Sequence, residues 1–99
     1  MLIHNVFFWL REDLNTEQVA DFRSGLESLK KIDHAEGVHI GSPASVPERP
    51  VLVSDYDFCL SVTFKDVLAH DAYQQDPTHL AFISNNKEKW KQVRVYDAD

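Results

Sequence analysis

Residues Leu2 to Leu10 are rich in β-formers and apolar on both faces of the strand they would make, which limits the fold more than any other feature of the chain. Leu2, Val6, Phe8 and Leu10 share one side with His4, while Ile3, Phe7 and Trp9 share the other with Asn5. An antiparallel strand with one wet face alternates apolar with polar residues. This strand needs apolar cover above and below. The run falls short of the roughly 18 apolar residues of a membrane span, and it lacks the basic start and cleavage site of a secretory signal. No membrane partner and a cytoplasmic location are expected.

The rest of the chain alternates between two periods. Asn15, with Gln18 three residues on, reads as the capping box of a first helix, whose apolar stripe is Val19, Phe22, Leu26 and Leu29. Gly25 interrupts that helix at a cost of about 1 kcal/mol relative to alanine, which close packing could explain. Val38 to Gly41 reads as a short strand, and the proline-bearing segment Ser42 to Pro50 as a loop. Tyr56 to Phe64 alternates cleanly, with Tyr56, Phe58, Leu60, Val62 and Phe64 assigned to one face. Asp66 caps a helix reaching about Gln75. Asp76 and Pro77 then restart it as N-cap and first helical residue, with Leu80, Ile83 and Phe82 expected on the buried face. Gln92 to Asp97 is the last strand. The order β-α-β-β-α-β predicts an α+β, ferredoxin-like fold with a four-stranded antiparallel sheet, one domain over residues 1–99. Helices cover only one face of such a sheet. The second apolar face of the first strand therefore predicts a homodimer, two protomers closing their sheets into a dimeric α/β barrel.

Charge and cysteine content exclude several functions. A net charge of −6 with no Lys/Arg cluster does not suit a nucleic-acid binder, which needs a basic face to neutralise phosphates. Cys59 is the single cysteine, so an internal disulfide and a CxxC motif are both impossible. His34, His39 and His70 form no local metal-ligand spacing, and neither a metal nor a cofactor is expected, setting aside ligands assembled only by folding.

The densest chemistry lies between Tyr56 and Phe82. Tyr56-Asp57 precedes a strand ending at Phe64, followed by Ala72-Tyr73, Asp76-Pro77-Thr78-His79 and Phe82. Together with the start His4-Asn5-Val6-Phe7-Phe8, these spacings resemble the stress-responsive A/B barrel family over nearly the whole chain. The resemblance implies a homodimeric barrel with an apolar cavity in each subunit. Most members have no assigned reaction, and one plant branch is a polyketide cyclase performing a cofactor-free aldol condensation. Carried over from that branch, His79 is the general base and Tyr73 positions a substrate oxygen, with His4 a further pocket histidine. Val6, Phe22, Leu26 and Phe82 complete the expected lining. The cyclase has a pocket tyrosine in its first helix; Phe22, Leu26 or Glu27 stands near that place here.

Each of these residues also has a plainer role. His79 can tether its helix by bonding a backbone carbonyl, Tyr73 can be a core residue with a bonded hydroxyl, and His4 a satisfied sheet histidine. Three functions remain open: a protein binding a small apolar or aromatic molecule between sheet and helices; a cofactor-independent enzyme, of cyclase/aldol type or a quinone-forming monooxygenase, with His79 as base; and a dimeric scaffold without ligand.

Overall fold

The computed structural model describes residues 1–99. Four strands, β1 (Leu2–Leu10), β2 (Gly37–Gly41), β3 (Phe58–Phe64) and β4 (Trp90–Ala98), form one antiparallel sheet in the order β2-β3-β1-β4. Helices α1 (Thr16–Ser28), α2 (Val67–Gln75) and α3 (Pro77–Asn86) pack on one face. The predicted ferredoxin-like order and sheet are the ones observed. No helix is long and apolar enough to cross a membrane.

Local chemistry sets the helix ends. Asn15 Oδ1 accepts from the Gln18 amide at 2.8 Å, and Gln18 Oε1 accepts from the Asn15 amide at 2.9 Å, completing the capping box. Asp66 accepts from Ala69 N at 2.9 Å to open α2. Asp76 ends α2 and caps α3 by accepting from Thr78 N at 2.8 Å, with Pro77 first in the new helix. This break turns the chain between Tyr73 and His79.

Register then decides which side chains meet. Residues directly opposite in a sheet share a face. Val6 lies between Leu60 and Val95, Phe8 between Phe58 and Val93, and His4 between Val62 and Asp97. The even-numbered side chains of β1 are buried beneath the helices. At the core, Phe8 packs edge-on to Phe22 with ring centroids 5.1 Å apart, and Phe22 lies 5.8 Å from Phe82. The opposite sheet face carries Ile3, Phe7, Trp9 and Tyr96 and has no helix over it.

Three expectations need correction. Tyr56 does not share the face of Phe58: β3 begins after it, and its ring packs on Phe7 (5.1 Å) and Trp9 (6.3 Å) on the helix-free face. The cause is Asp57, whose amide donates to Phe8 O at 2.8 Å and whose carboxylate accepts from Leu10 N at 2.7 Å, ending the alternation there. Leu80 is 49 % exposed. The buried side of α3 runs instead through His79, Phe82 and Asn86, at helical spacing. Finally, the final strand starts at Trp90, two residues before the alternation expected from Gln92, because a register irregularity between Trp9 and Leu10 lets Trp90 pair with Leu10.

Gly25 is explained by the approach of α1 to α3. A Cβ there would come within 2.9 Å of Asn86 Nδ2 and 3.1 Å of Phe82 Cδ1. Asn86 cannot easily yield, since it is buried and donates to Phe82 O at 2.9 Å. Overpacking costs about 1–3 kcal/mol, while alanine gains about 1 kcal/mol in helix propensity. Gly25→Ala is therefore expected to lower stability in urea unfolding by about 1 kcal/mol, against the gain its helical position alone would bring.

Candidate functional site

The break at Asp76 leaves a cavity of about 190 Å³ between the sheet and α3. His4, Val6, Phe8 and Leu60 form its sheet wall, Gln74, His79, Phe82 and Ile83 its helix wall, and Trp90, Val93 and Val95 its β4 side. Of the residues expected to line a pocket, His4, Val6, His79 and Phe82 come together there. Phe22 and Leu26 do not; both are fully buried in the core, Phe22 against Phe8, Phe58 and Phe82. Tyr73 is also fully buried and lies behind His79, their ring centroids 4.8 Å apart.

His79 is the third residue of α3 and 7 % exposed. Its Nδ1 is buried with no hydrogen-bond partner. The tether to a backbone carbonyl expected of a structural histidine is not made at Nδ1, while a backbone hydrogen bond with Gln74, across the Asp76 break, acts on the ring. Burial pushes the imidazole below its ordinary pKa; the Gln74 backbone opposes this, and the neighbouring His4 adds to it. The positive end of the helix dipole also disfavours a cation at this position. A neutral imidazole results, the form a general base requires.

The Tyr73 hydroxyl and Trp90 Nε1 are likewise buried without a protein hydrogen-bond partner. No protein group bonds the Tyr73 hydroxyl, and burial raises its pKa far above that of a free phenol. Each orphaned group costs about 1–3 kcal/mol of desolvation, so a region holding three of them is a place where stability is given up.

His4 is the satisfied member of the group. Its Nδ1 lies 2.5 Å from Asp97 Oδ1, and its ring meets Phe64, Tyr73 and His70 edge-on. Asp97, His70 and Gln74 were not legible as neighbours of His4. The paired residues His4 and Asp97 are 93 positions apart, and only the β1–β4 register brings them together.

A larger hollow of about 540 Å³ lies on the helix-free face among Phe7, Trp9, Tyr56, Arg94 and Tyr96. It contains no histidine and none of the orphaned groups. Chemistry therefore points to the smaller cavity.

The family model of the stress responsive A/B barrel domain matches residues 2–99. The chain belongs to this family. A family member from Mesorhizobium loti is 21% identical with a TM-score of 0.79, covering 99% of this chain and 94% of that one. A dimeric ferredoxin-like protein of unknown function from Thermobifida fusca is 17% identical with a TM-score of 0.79, covering 98% and 88%. The hydroxynitrile lyase of Passiflora edulis is 17% identical with a TM-score of 0.81, covering 98% and 90%. At these identities the likeness is one of fold. No curated protein matches the chain in sequence.

Two outcomes follow for this A/B barrel protein. Tyr73→Phe removes an unpartnered hydroxyl, so urea unfolding should find stability unchanged or raised; a loss above about 1 kcal/mol would mean the hydroxyl is bonded. For His79, the folded-state pKa lies below the unfolded value of about 6.5, so the unfolded chain binds more protons as the pH falls through that value. Its effect is constant above about pH 6.5, and stability is lost from there down toward the folded-state pKa. Between about pH 7.5 and about pH 5 the parent should lose more stability than His79→Gln, compared at matched protein concentration.

Proposed function

We propose that this protein binds a small apolar or aromatic molecule in the cavity beside α3, working as a homodimer. The observation that carries the reading is the pairing of an apolar wall with orphaned polar groups: His79 Nδ1 and Trp90 Nε1 belong to cavity-lining residues and have no protein partner. Ligand sites combine a mostly apolar lining with a few polar groups that fix orientation. A scaffold selected only for stability has no use for such orphans. The volume of about 190 Å³ is under the roughly 300 Å³ at which ligand pockets usually begin. The occupant is therefore small, or the cavity widens around it.

The dimer rests on the helix-free face. Ile3, Phe7, Trp9 and Tyr56 together with Tyr96, 57 % exposed, form an apolar layer across the sheet. Monomers rarely leave such a layer in water, and a protein of the same fold from Thermobifida fusca is described as dimeric. Two sheets meeting across these faces would form the α/β barrel and cover the larger hollow.

A second reading, cofactor-free acid–base chemistry, is favoured by the unpartnered Nδ1 of His79 beside Tyr73. Here His79 takes a proton from the substrate and His4 supports it across the cavity. Tyr73 does not reach the cavity wall, so its part is to hold the His79 ring. That the hydroxynitrile lyase has this fold makes catalysis compatible with it.

Small phenols and aromatic aldehydes, titrated while following backbone amide shifts, test the binding reading. Shifts should centre on His4, His79, Phe82 and Trp90 and disappear in Val6→Phe, which fills the cavity from the sheet. Equal binding by the filled variant would place the ligand elsewhere and defeat the proposal. Light scattering tests the dimer: the mass should be twice the chain's 11.4 kDa, and Phe7→Glu should halve it. A monomer mass for the parent at every concentration would rule out the barrel.

A further inference from the structure

His4 from β1, His70 from α2 and Asp97 from β4 each bring one donor atom to a common point, all within 4.8 Å of one another. From this convergence we propose that the three residues form a binding site for a borderline divalent transition ion such as zinc, at the edge of the sheet on the outer side of the His4 wall. The site does not depend on a ligand in the cavity or on the dimer.

The donor geometry supports it. His4 Nδ1 lies 2.5 Å from Asp97 Oδ1, and His70 Nε2 lies 4.0 Å from Asp97 Oδ2. Donors bound to zinc at about 2.0–2.2 Å in a tetrahedron stand roughly 3.4 Å apart. The first pair must open by about an ångström and the second close by somewhat less to reach that separation. Asp97, with a side chain 41 % exposed, makes both movements, and the two imidazole donors, within 4.8 Å of one another, close through His70, 17 % exposed, while His4, 4 % exposed, stays fixed. To bind through Nδ1, the neutral His4 ring must carry its proton on Nε2, and the Asp97 carboxylate that the proton faced then offsets one of the ion's two charges.

The surroundings of His70 provide a second, independent indication. Its Nδ1 is 3.1 Å from Asp71 Oδ1, and an imidazole N–H donating to a carboxylate leaves Nε2 as a lone pair. Gln74 Nε2, which can only donate, lies 3.3 Å from that same nitrogen. In that tautomer Nε2 accepts, yet it lies 4.0 Å from Asp97 Oδ2, which also accepts. A cation between them satisfies both and displaces the Gln74 amide. The carboxylate–imidazole pairing of Asp71 with His70 is the arrangement that orients metal-bound histidines. Phe64 backs both imidazoles, its centroid 6.2 Å from His4 and 5.5 Å from His70, leaving solvent access through Asp97.

Two imidazoles and one carboxylate select against magnesium and calcium, which take oxygen ligands. Three protein donors leave at least one position for water, as in exchangeable rather than closed zinc sites. None of the three lies near another on one element, so the local spacing that ruled out a metal could not reveal the cluster.

The test uses the tag-free full chain, stripped of metal and titrated with Co²⁺ by visible absorption and with Zn²⁺ by calorimetry. One ion per chain should bind, and Zn²⁺ should raise the unfolding temperature. His70→Gln and Asp97→Asn should each weaken binding at least about tenfold and abolish the thermal shift. His39→Gln, an exposed histidine on the other sheet face, should leave both unchanged. Should His70→Gln fail to fold, Asp97→Asn alone decides. Failure of the parent to bind either ion, or equal affinity in the parent and a folded ligand variant, overturns the proposal.

Discussion

The central position of β1 governs the rest of this molecule. A strand apolar on both faces cannot sit at an edge or face water on one side. On one face its even-numbered side chains draw three helices onto the sheet, with Phe8, Phe22 and Phe82 at the point of contact. On the other, Phe7 and Trp9 gather Tyr56 and Tyr96 into an apolar layer that no element of the same chain covers. The two faces therefore differ in kind, one forming the core of the protomer and the other left uncovered by its helices.

His4 stands in the middle of that arrangement. It occupies a core position of β1 between Val62 and Asp97, and its polar edge must be answered from within the protein. Asp97 does so on one side, while the cavity opens on the other. The break at Asp76 then sets His79 across that cavity with Tyr73 behind it. Sheet register and helix interruption thus assemble the polar residues among apolar side chains.

Much of this was legible in the chain. Asn15, Asp66 and Asp76-Pro77 announce helix starts by the side-chain chemistry of capping, and the change between two-residue and helical periods orders the elements. The convergence of His4, His79 and Phe82 was readable through family spacing. What was not legible depends on contacts between distant segments. Tyr56 changes face because Asp57 bonds the far end of β1. Phe22 and Leu26 lie in the core instead of the cavity because α1 packs deep against Phe8 and Phe58. The proximity of Asp97 and His70 to His4 needs the β1–β4 register and the angle of α2, neither of which leaves a local pattern.

The contact of Gly25 with Phe82 and Asn86 also has a mechanical meaning. It pins the C-terminal half of α3 against α1 at a distance that admits no slack. The N-terminal half, which carries His79, hangs from the Asp76 joint and borders open space. The same contact that excludes a side chain at position 25 therefore also fixes Phe82, so the position of one cavity wall is set from the far side of α3.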